Sequence, residues 1–350
     1  MLTLSGFAKQ YLYGARLFGG VDAEFRDGET VAVYGGEGSG KTSFLKTICG
    51  AERAEGEVLL DGERIERRTD KVIMVFDDGA VFRTRTVFDN LAYPLKLRGT
   101  ERAEIASRVV AAAEETGIGG CLNVRAGRLT PAERRRMSLA RLIVRPARLC
   151  LIDEPTAGLS REDAREVFRD FFSIVRRLRA EGTTVIFSTS SREETEIADR
   201  IVVLVSGEVK QIASLQDIAK APESVWAAQA VDEHYNVAKA VLCDENGVLK
   251  LVFGENDEIE AECLRGRIAE EYIDKEVLAG WFPDAAAEGG ATAPAAYVLH
   301  RANGFVMCAE EGFAEFSVRR KESVSLRPDI ARVTLFDRTN EFSIMRESEV

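Results

Sequence analysis

The run Gly35-Gly36-Glu37-Gly38-Ser39-Gly40-Lys41-Thr42 has the residue types and spacing of a loop that grips phosphate. Its glycines let the backbone turn N–H groups inward around a di- or triphosphate, and the start of the helix-like stretch Thr42 to Cys49 adds positive potential toward the same anion. In that chemistry Gly35, Gly36, Glu37, Gly38, Ser39, Gly40 and Ser43 line the nucleotide, Lys41 reaches its terminal phosphates, and the Thr42 hydroxyl holds Mg²⁺. A second set lies far along the chain, where Leu149-Cys150-Leu151-Ile152 runs into Asp153-Glu154-Pro155. Asp153 would bind the metal directly or through water, and Glu154 would orient or deprotonate an attacking water. The combination describes hydrolysis of a nucleoside triphosphate, with Lys41 and Glu154 as the catalytic pair. Each motif alone has a bland reading, an idle glycine turn or an exposed acidic strand end, but their joint presence argues against both.

Such groups meet only if the chain folds as strands joined by crossover helices. Thr30 to Tyr34, Val72 to Phe76, Leu149 to Ile152, Thr184 to Ser188 and Ile201 to Val205 read as strands of a largely parallel sheet, the last four as near-continuous apolar runs suited to burial on both faces. Leu2 to Phe7, and Glu57 to Leu60 before Asp61-Gly62, read as antiparallel pieces with tight turns. About seventy residues between Phe76 and Leu149 have little β character and predict a helical insertion, roughly residues 83–140. A helix-like stretch follows Ala213 to about Ala230. From Val237 onward, short alternating runs with turns such as Glu245-Asn246-Gly247 and Ala302-Asn303-Gly304 predict a small β-barrel or sandwich. The Ala/Gly-rich Asp284 to Pro294 reads as a loop within it. The expected organisation is an α/β P-loop NTPase core with antiparallel β and helical subdomains over residues 1–232, then a small all-β, OB-like barrel over 233–350.

Composition narrows the function classes. The 350 residues are 45% hydrophobic and 30% charged, which excludes disorder as the main theme. No run approaches the roughly 18–20 apolar residues of a spanning helix, and Met1-Leu2-Thr3-Leu4 lacks the charged lead and apolar core of a secretory leader, so a cytoplasmic protein is expected. The six cysteines lie far apart with no Cys-x-x-Cys pair, reading as reduced thiols rather than a zinc cluster. Residues 236–350 hold 13 Lys/Arg against 22 Asp/Glu, and residues 1–235 hold 34 against 36. Neither part has the basic excess of a protein that neutralises nucleic-acid phosphates.

With these motifs in this order, followed by Ala198-Asp199-Arg200-Ile201 and Ser206-Gly207, the chain resembles the ATP-binding subunit of ABC transporters. The tail, including Val324 to Ile344 with Leu335-Phe336-Asp337, is similar to the β-barrel regulatory extension of the subgroup that drives sugar and glycerol-phosphate importers. The resemblance implies ATP and Mg²⁺ as cofactors and two ATPase subunits that sandwich two nucleotides. It also implies membrane-spanning permease subunits as partners, an indirect link to an extracellular solute-binding protein, and a place on the inner face of the membrane. It places Tyr13 against adenine, with Tyr11 as the alternative. It places Asp77, in Val75-Phe76-Asp77-Asp78, where the family has a metal- and water-binding Gln.

Several family positions depart from the pattern. The signature Leu-Ser-Gly-Gly-Gln becomes Leu129-Thr130-Pro131-Ala132-Glu133, which removes an N–H, adds a side chain and brings a negative charge toward phosphate. The same residues read as a well-capped helix start: Thr at the N-cap, Pro at N1, Glu at N3. The dimer-contact Asp matches Ser160, and the switch His matches Ser190. His234 and His300 are the only histidines and lie beyond the ATPase core. These changes predict ATP binding with slow hydrolysis, and they favour pairing with a more intact second subunit over a homodimer. The alternative is a non-catalytic, nucleotide-gated regulatory subunit. Phe82 to Asn90 falls where the family receives a helix of the membrane subunit, although a solvated helix start explains it equally. Arg134-Arg135-Arg136 reads as a solvated helix face.

Overall fold

The computed structural model describes residues 1–10, 16–53, 55–65, 69–76, 81–232, 235–253, 257–282, 286–288, 297–301, 304–308, 326–328 and 330–345. The chain forms two compact units, Met1–Leu215 and Gln216–Val350.

In the first unit β3 (Thr30–Tyr34), β6 (Val72–Val75), β7 (Leu149–Ile152), β8 (Thr184–Thr189), β9 (Arg200–Val205) and β10 (Glu208–Ala213) make one sheet in the order β10-β9-β3-β8-β7-β6. All its pairings are parallel except that of β10 with β9. The parallel strands are short apolar runs because both faces are covered. Leu149, Leu151 and Ile186 face one core with α1 (Lys41–Ile48), while Cys150, Ile152, Val185 and Phe187 face another with α5 (Arg161–Ala180). A second, antiparallel sheet packs over the first core: β1 (Leu2–Gln10), β2 (Arg16–Phe25), β4 (Glu55–Leu60) and β5 (Glu63–Arg64), ordered β2-β1-β4-β5. Its β4–β5 hairpin turns on Asp61 (φ 55°) and Gly62 (φ 77°), the two left-handed residues that a type I′ turn requires.

The insertion is helical as expected: α2 (Val87–Leu97), α3 (Arg102–Glu115) and α4 (Pro131–Val144) close around Val87, Leu91, Val109 and Met137. Thr130 caps α4 with a full capping box, its side chain accepting from Glu133 N–H while Glu133 accepts from Thr130 N–H. Helix α6 (Arg192–Thr195) follows β8 at once.

The second unit holds most of α7 (Leu215–Lys220) and α8 (Val225–Val231), then an antiparallel sheet in the order β13-β12-β11-β14-β19. Its strands are β11 (Asn236–Glu245), β12 (Val248–Phe253), β13 (Asp257–Glu260), β14 (Lys275–Trp281) and β19 (Thr334–Asp337). Asn246 (φ 56°) and Gly247 (φ 82°) close the β11–β12 hairpin, as the sequence predicts. The expected closing strand at Leu335-Phe336-Asp337 pairs with β14. Two strand pairs complete the description: β15 (Ala286–Glu288) with β18 (Leu326–Pro328), and β16 (Tyr297–Arg301) with β17 (Gly304–Cys308). The stretch expected as a loop, Asp284 to Pro294, therefore contains a strand at 286–288, and its remainder lies outside the described residues.

Candidate functional site

Three parallel strands, β3, β7 and β8, end side by side, and the groups singled out in the sequence sit at those ends. This is where an open parallel sheet offers a ligand site. After Tyr34 the chain enters the glycine loop. A Cβ on Gly35 would lie 2.2 Å from Leu204 O, so the first glycine is required by packing against β9. Gly38 (φ 74°) and Gly40 (φ 102°) occupy left-handed conformations that side chains resist. Gly36 and Gly38 open onto free space, and α1 begins with no side-chain cap and no acidic residue in its first turn. Ser39 Oγ is buried without a hydrogen-bond partner. Uncapped N–H groups, an open glycine cradle and an unsatisfied hydroxyl fit a bound polyphosphate.

The charged groups converge on this loop. Lys41 Nζ donates to Gly35 O (2.8 Å), Gly36 O (2.9 Å) and Ser190 Oγ (3.0 Å), and lies 3.0 Å from Glu154 Oε1. Ser190 Oγ also donates to Glu154 Oε1 at 3.0 Å, so the residue aligned with the switch His bridges both members of the expected catalytic pair. Thr42 Oγ1 lies 2.9 Å and 3.0 Å from the two Asp153 oxygens. A hydroxyl and a carboxylate in contact suit a hard cation that takes its other ligands from phosphate and water. Among the described residues no cluster of three His, Cys, Asp or Glu side chains offers an all-protein cage. Glu37 is exposed on the loop, and Ser43 sits in the first turn of α1. Tyr13, its alternative Tyr11, and Asp77 lie outside the described residues.

Three supporting groups escaped the sequence reading. Ser188 Oγ donates to Asp153 Oδ1 (2.7 Å) and accepts from Glu154 N–H (3.0 Å), fixing both acids from the neighbouring strand. Glu194, 5% exposed, accepts from Thr189 Oγ1 (2.6 Å) and Thr156 Oγ1. Burial pushes its carboxyl above the ordinary range against those hydroxyls, and Glu154 adds to the rise. The third corrects an expectation: Arg134-Arg135-Arg136 is not a solvated face. Arg135 is buried against the backbone around Glu154, Arg136 pairs with Asp170 (2.7 Å) and Glu166 (3.0 Å), and Arg134 donates to Leu129 O (3.2 Å). The only sequence signal was position: the fourth to sixth residues of α4 turn partly inward in a 3.6-residue period. Ser160 caps α5, accepting from Asp163 N–H. Phe82 and Tyr93 form an edge-on pair with Arg85 over both rings, and Phe82 is exposed.

A family model described as ABC transporter matches residues 18–157, spanning the glycine loop through Pro155. The sulfoquinovosyl glycerol transport ATP-binding protein SmoE of Agrobacterium fabrum is 30% identical over 279 residues, covering 78% of this chain and 76% of that protein. The chain belongs to the ABC transporter ATP-binding proteins. The sn-glycerol-3-phosphate import ATP-binding protein UgpC of Vibrio vulnificus is 34% identical over 66% of this chain, and the match spans 63% of that protein's length. Among solved structures, cbiO1 of Clostridium perfringens, part of an ABC transporter complex, superposes with a TM-score of 0.54 at 21% identity, covering 63% of this chain and 95% of that one. A dimeric ATP-binding cassette, MJ0796, holding ADP and phosphate after hydrolysis gives 0.55 at 22% identity, covering 61% and 98%. These two share the fold over the part of this chain that they cover. As an ABC ATPase the chain binds ATP. None of its described helices is long and apolar enough to cross a membrane.

Proposed function

We propose that the chain powers an importer of a carbohydrate or polyol phosphate, docked on the inner face of the membrane against permease subunits, with residues 1–232 binding ATP and the remainder a regulatory barrel. The cargo class is supported by the printed functions of SmoE and UgpC, and an extracellular solute-binding protein upstream is part of the same proposal. The observation that carries the reading is the convergence of Lys41, Thr42, Asp153 and Glu154 on one glycine cradle.

In this reading Gly35 to Ser43 wrap the phosphates and Lys41 binds the terminal ones. Thr42 and Asp153, with Asp77 as a further ligand, would hold Mg²⁺, which would supply screening of phosphate charge. Glu154 orients the attacking water and takes its proton, and Ser190 holds the Glu154 carboxylate in place. Tyr13 stacks on adenine. Closure brings Thr130 of an opposing subunit toward the phosphates, and the missing Pro131 N–H and the Glu133 charge weaken that contact. We favour a partner with an intact signature for this reason.

The second reading, a subunit that binds ATP and hydrolyses almost none, is favoured where the opposing subunit is a second copy of this chain: Glu133 is already committed to Thr130 N–H, which holds its carboxyl below the usual range and keeps it charged. Substituting Glu154→Gln in the reconstituted transporter separates the two. Transport should stop if this chain turns over ATP, and persistent transport with ATP still bound would leave only the second reading.

A further inference from the structure

We infer that Arg135 is a positioning residue for Glu154, a bracket running from α4 to the peptide that carries the carboxylate; the inference rests on the role of Glu154 proposed above. Glu154 has φ 47°, a left-handed conformation that a non-glycine residue resists and that persists only when its surroundings hold it. Two groups hold it from opposite sides. Ser188 Oγ accepts from the Glu154 N–H, and Arg135 Nη1 donates to Glu154 O at 2.7 Å.

Arg135 reaches further round the same turn. Nη1 is also 3.4 Å from Asp153 O, and Nη2 donates to Ala157 O at 3.1 Å. One planar fork thus spans three carbonyls, a pattern that a lysine ammonium cannot reproduce. The residue is only 7% exposed, so its charge has left water and relies on these dipoles together with the nearby Glu194 carboxylate. A buried guanidinium spent on three backbone oxygens of the strand tip is more than a helix needs in order to pack.

Its origin gives the bracket a mechanical role. Arg135 lies in the second turn of α4, whose start is locked by the Thr130–Glu133 capping box and whose flank is tied to α5 through Arg136. A helix held this way moves as a rod. Displacement of its first turn, the part expected to meet the opposing subunit's nucleotide, therefore reaches the Glu154 peptide directly through Arg135. Small errors in placing a reacting group cost orders of magnitude in rate, so turnover in this chain should depend on the bracket while nucleotide affinity should not.

The test uses the full chain with Arg135→Gln and Arg135→Lys, read by amide hydrogen exchange, by calorimetric ATP affinity, and by kcat and KM. In Arg135→Gln, exchange across residues 150–160 should speed up roughly tenfold while β3 and β9 stay unchanged. The same variant should lose roughly tenfold or more in kcat, with KM and affinity within about twofold of wild type, and Arg135→Lys should fall between. Unchanged exchange in 150–160, equal acceleration in β3 and β9, or a raised KM with kcat intact would each overturn the assignment. Should the wild type bind ATP and hydrolyse none, the catalytic reading of Glu154 fails on its own account, and the exchange pattern alone decides for or against the bracket.

Discussion

Lys41 and Glu154 face each other at 3.0 Å, one 6% and the other 20% exposed, with Ser190 hydrogen-bonded to both. In the proposed reading the lysine that takes phosphate is thus already occupied by the carboxylate that takes water. An incoming γ-phosphate would then have to replace Glu154 as the partner of Lys41, which would free the carboxylate at the moment it is needed. Glu154→Gln should weaken the resting pair and raise ATP affinity without metal by about twofold to tenfold, within the range of a charge-assisted hydrogen bond. Lys41→Met should lower it by on the order of tenfold or more. Calorimetry in chelator checks both, and equal affinities for wild type and Glu154→Gln would refute the competition.

The glycine loop makes a sharper contrast. Gly35→Ala drives a methyl to within 2.2 Å of Leu204 O and 2.6 Å of Ser39 Oγ, and backbone cannot yield cheaply. A loss of about 1–3 kcal/mol or more is expected, visible as a lowered midpoint in urea. Gly36→Ala meets nothing within 4 Å and should stay within about 0.5 kcal/mol of wild type. If both variants melted alike, the packing role of Gly35 would be wrong.

In the proposed reading the altered signature trades phosphate contact for helix stability. Pro131→Gly with Ala132→Gly restores an N–H and the family's two glycines, at a cost of about 1 kcal/mol or more from glycine in a helix and the loss of buried Ala132. Thr130→Ala should cost about 1 kcal/mol by deleting the cap. Assayed with its partner subunit, the double glycine variant should release phosphate faster even though it melts earlier. A slower or unchanged rate would show that this stretch never touches nucleotide.

What could be read from the chain alone follows from how local each signal is. Gly35 to Thr42 and Asp153-Glu154 were legible because their chemistry is written in consecutive residues, and the strands bearing them because both faces are buried. Thr130-Pro131-Ala132-Glu133 was legible as a cap for the same reason. Ser188, Glu194 and Arg135 were not, because each acts across the fold: Ser188 reaches β7 from β8, Glu194 joins Thr156 to Thr189, and Arg135 reaches back from α4. A charged residue in a polar run looks solvated until its partner's place is known. The strand at 286–288 was missed because its pairing partner, 326–328, is distant and Ala-Ala-Glu carries no β signal.

Glu194 offers a test by pH. Burial raises its folded pKa above the unfolded value of 4.5, with Glu154 adding to the rise and Arg135 opposing it. The folded protein therefore holds this proton more tightly than the unfolded chain does. Its contribution to stability is complete below about pH 4.5 and declines as pH climbs through the raised value. Glu194→Gln keeps an oxygen for one threonine and an amide for the other, and it has no charge to bury. The stability of Glu194→Gln relative to wild type should grow from pH 4 upward and level off once the wild-type carboxyl is ionised, measured by urea unfolding at matched ionic strength. A difference that stays flat with pH, or shrinks, would mean that the two threonines stabilise the anion more than burial penalises it.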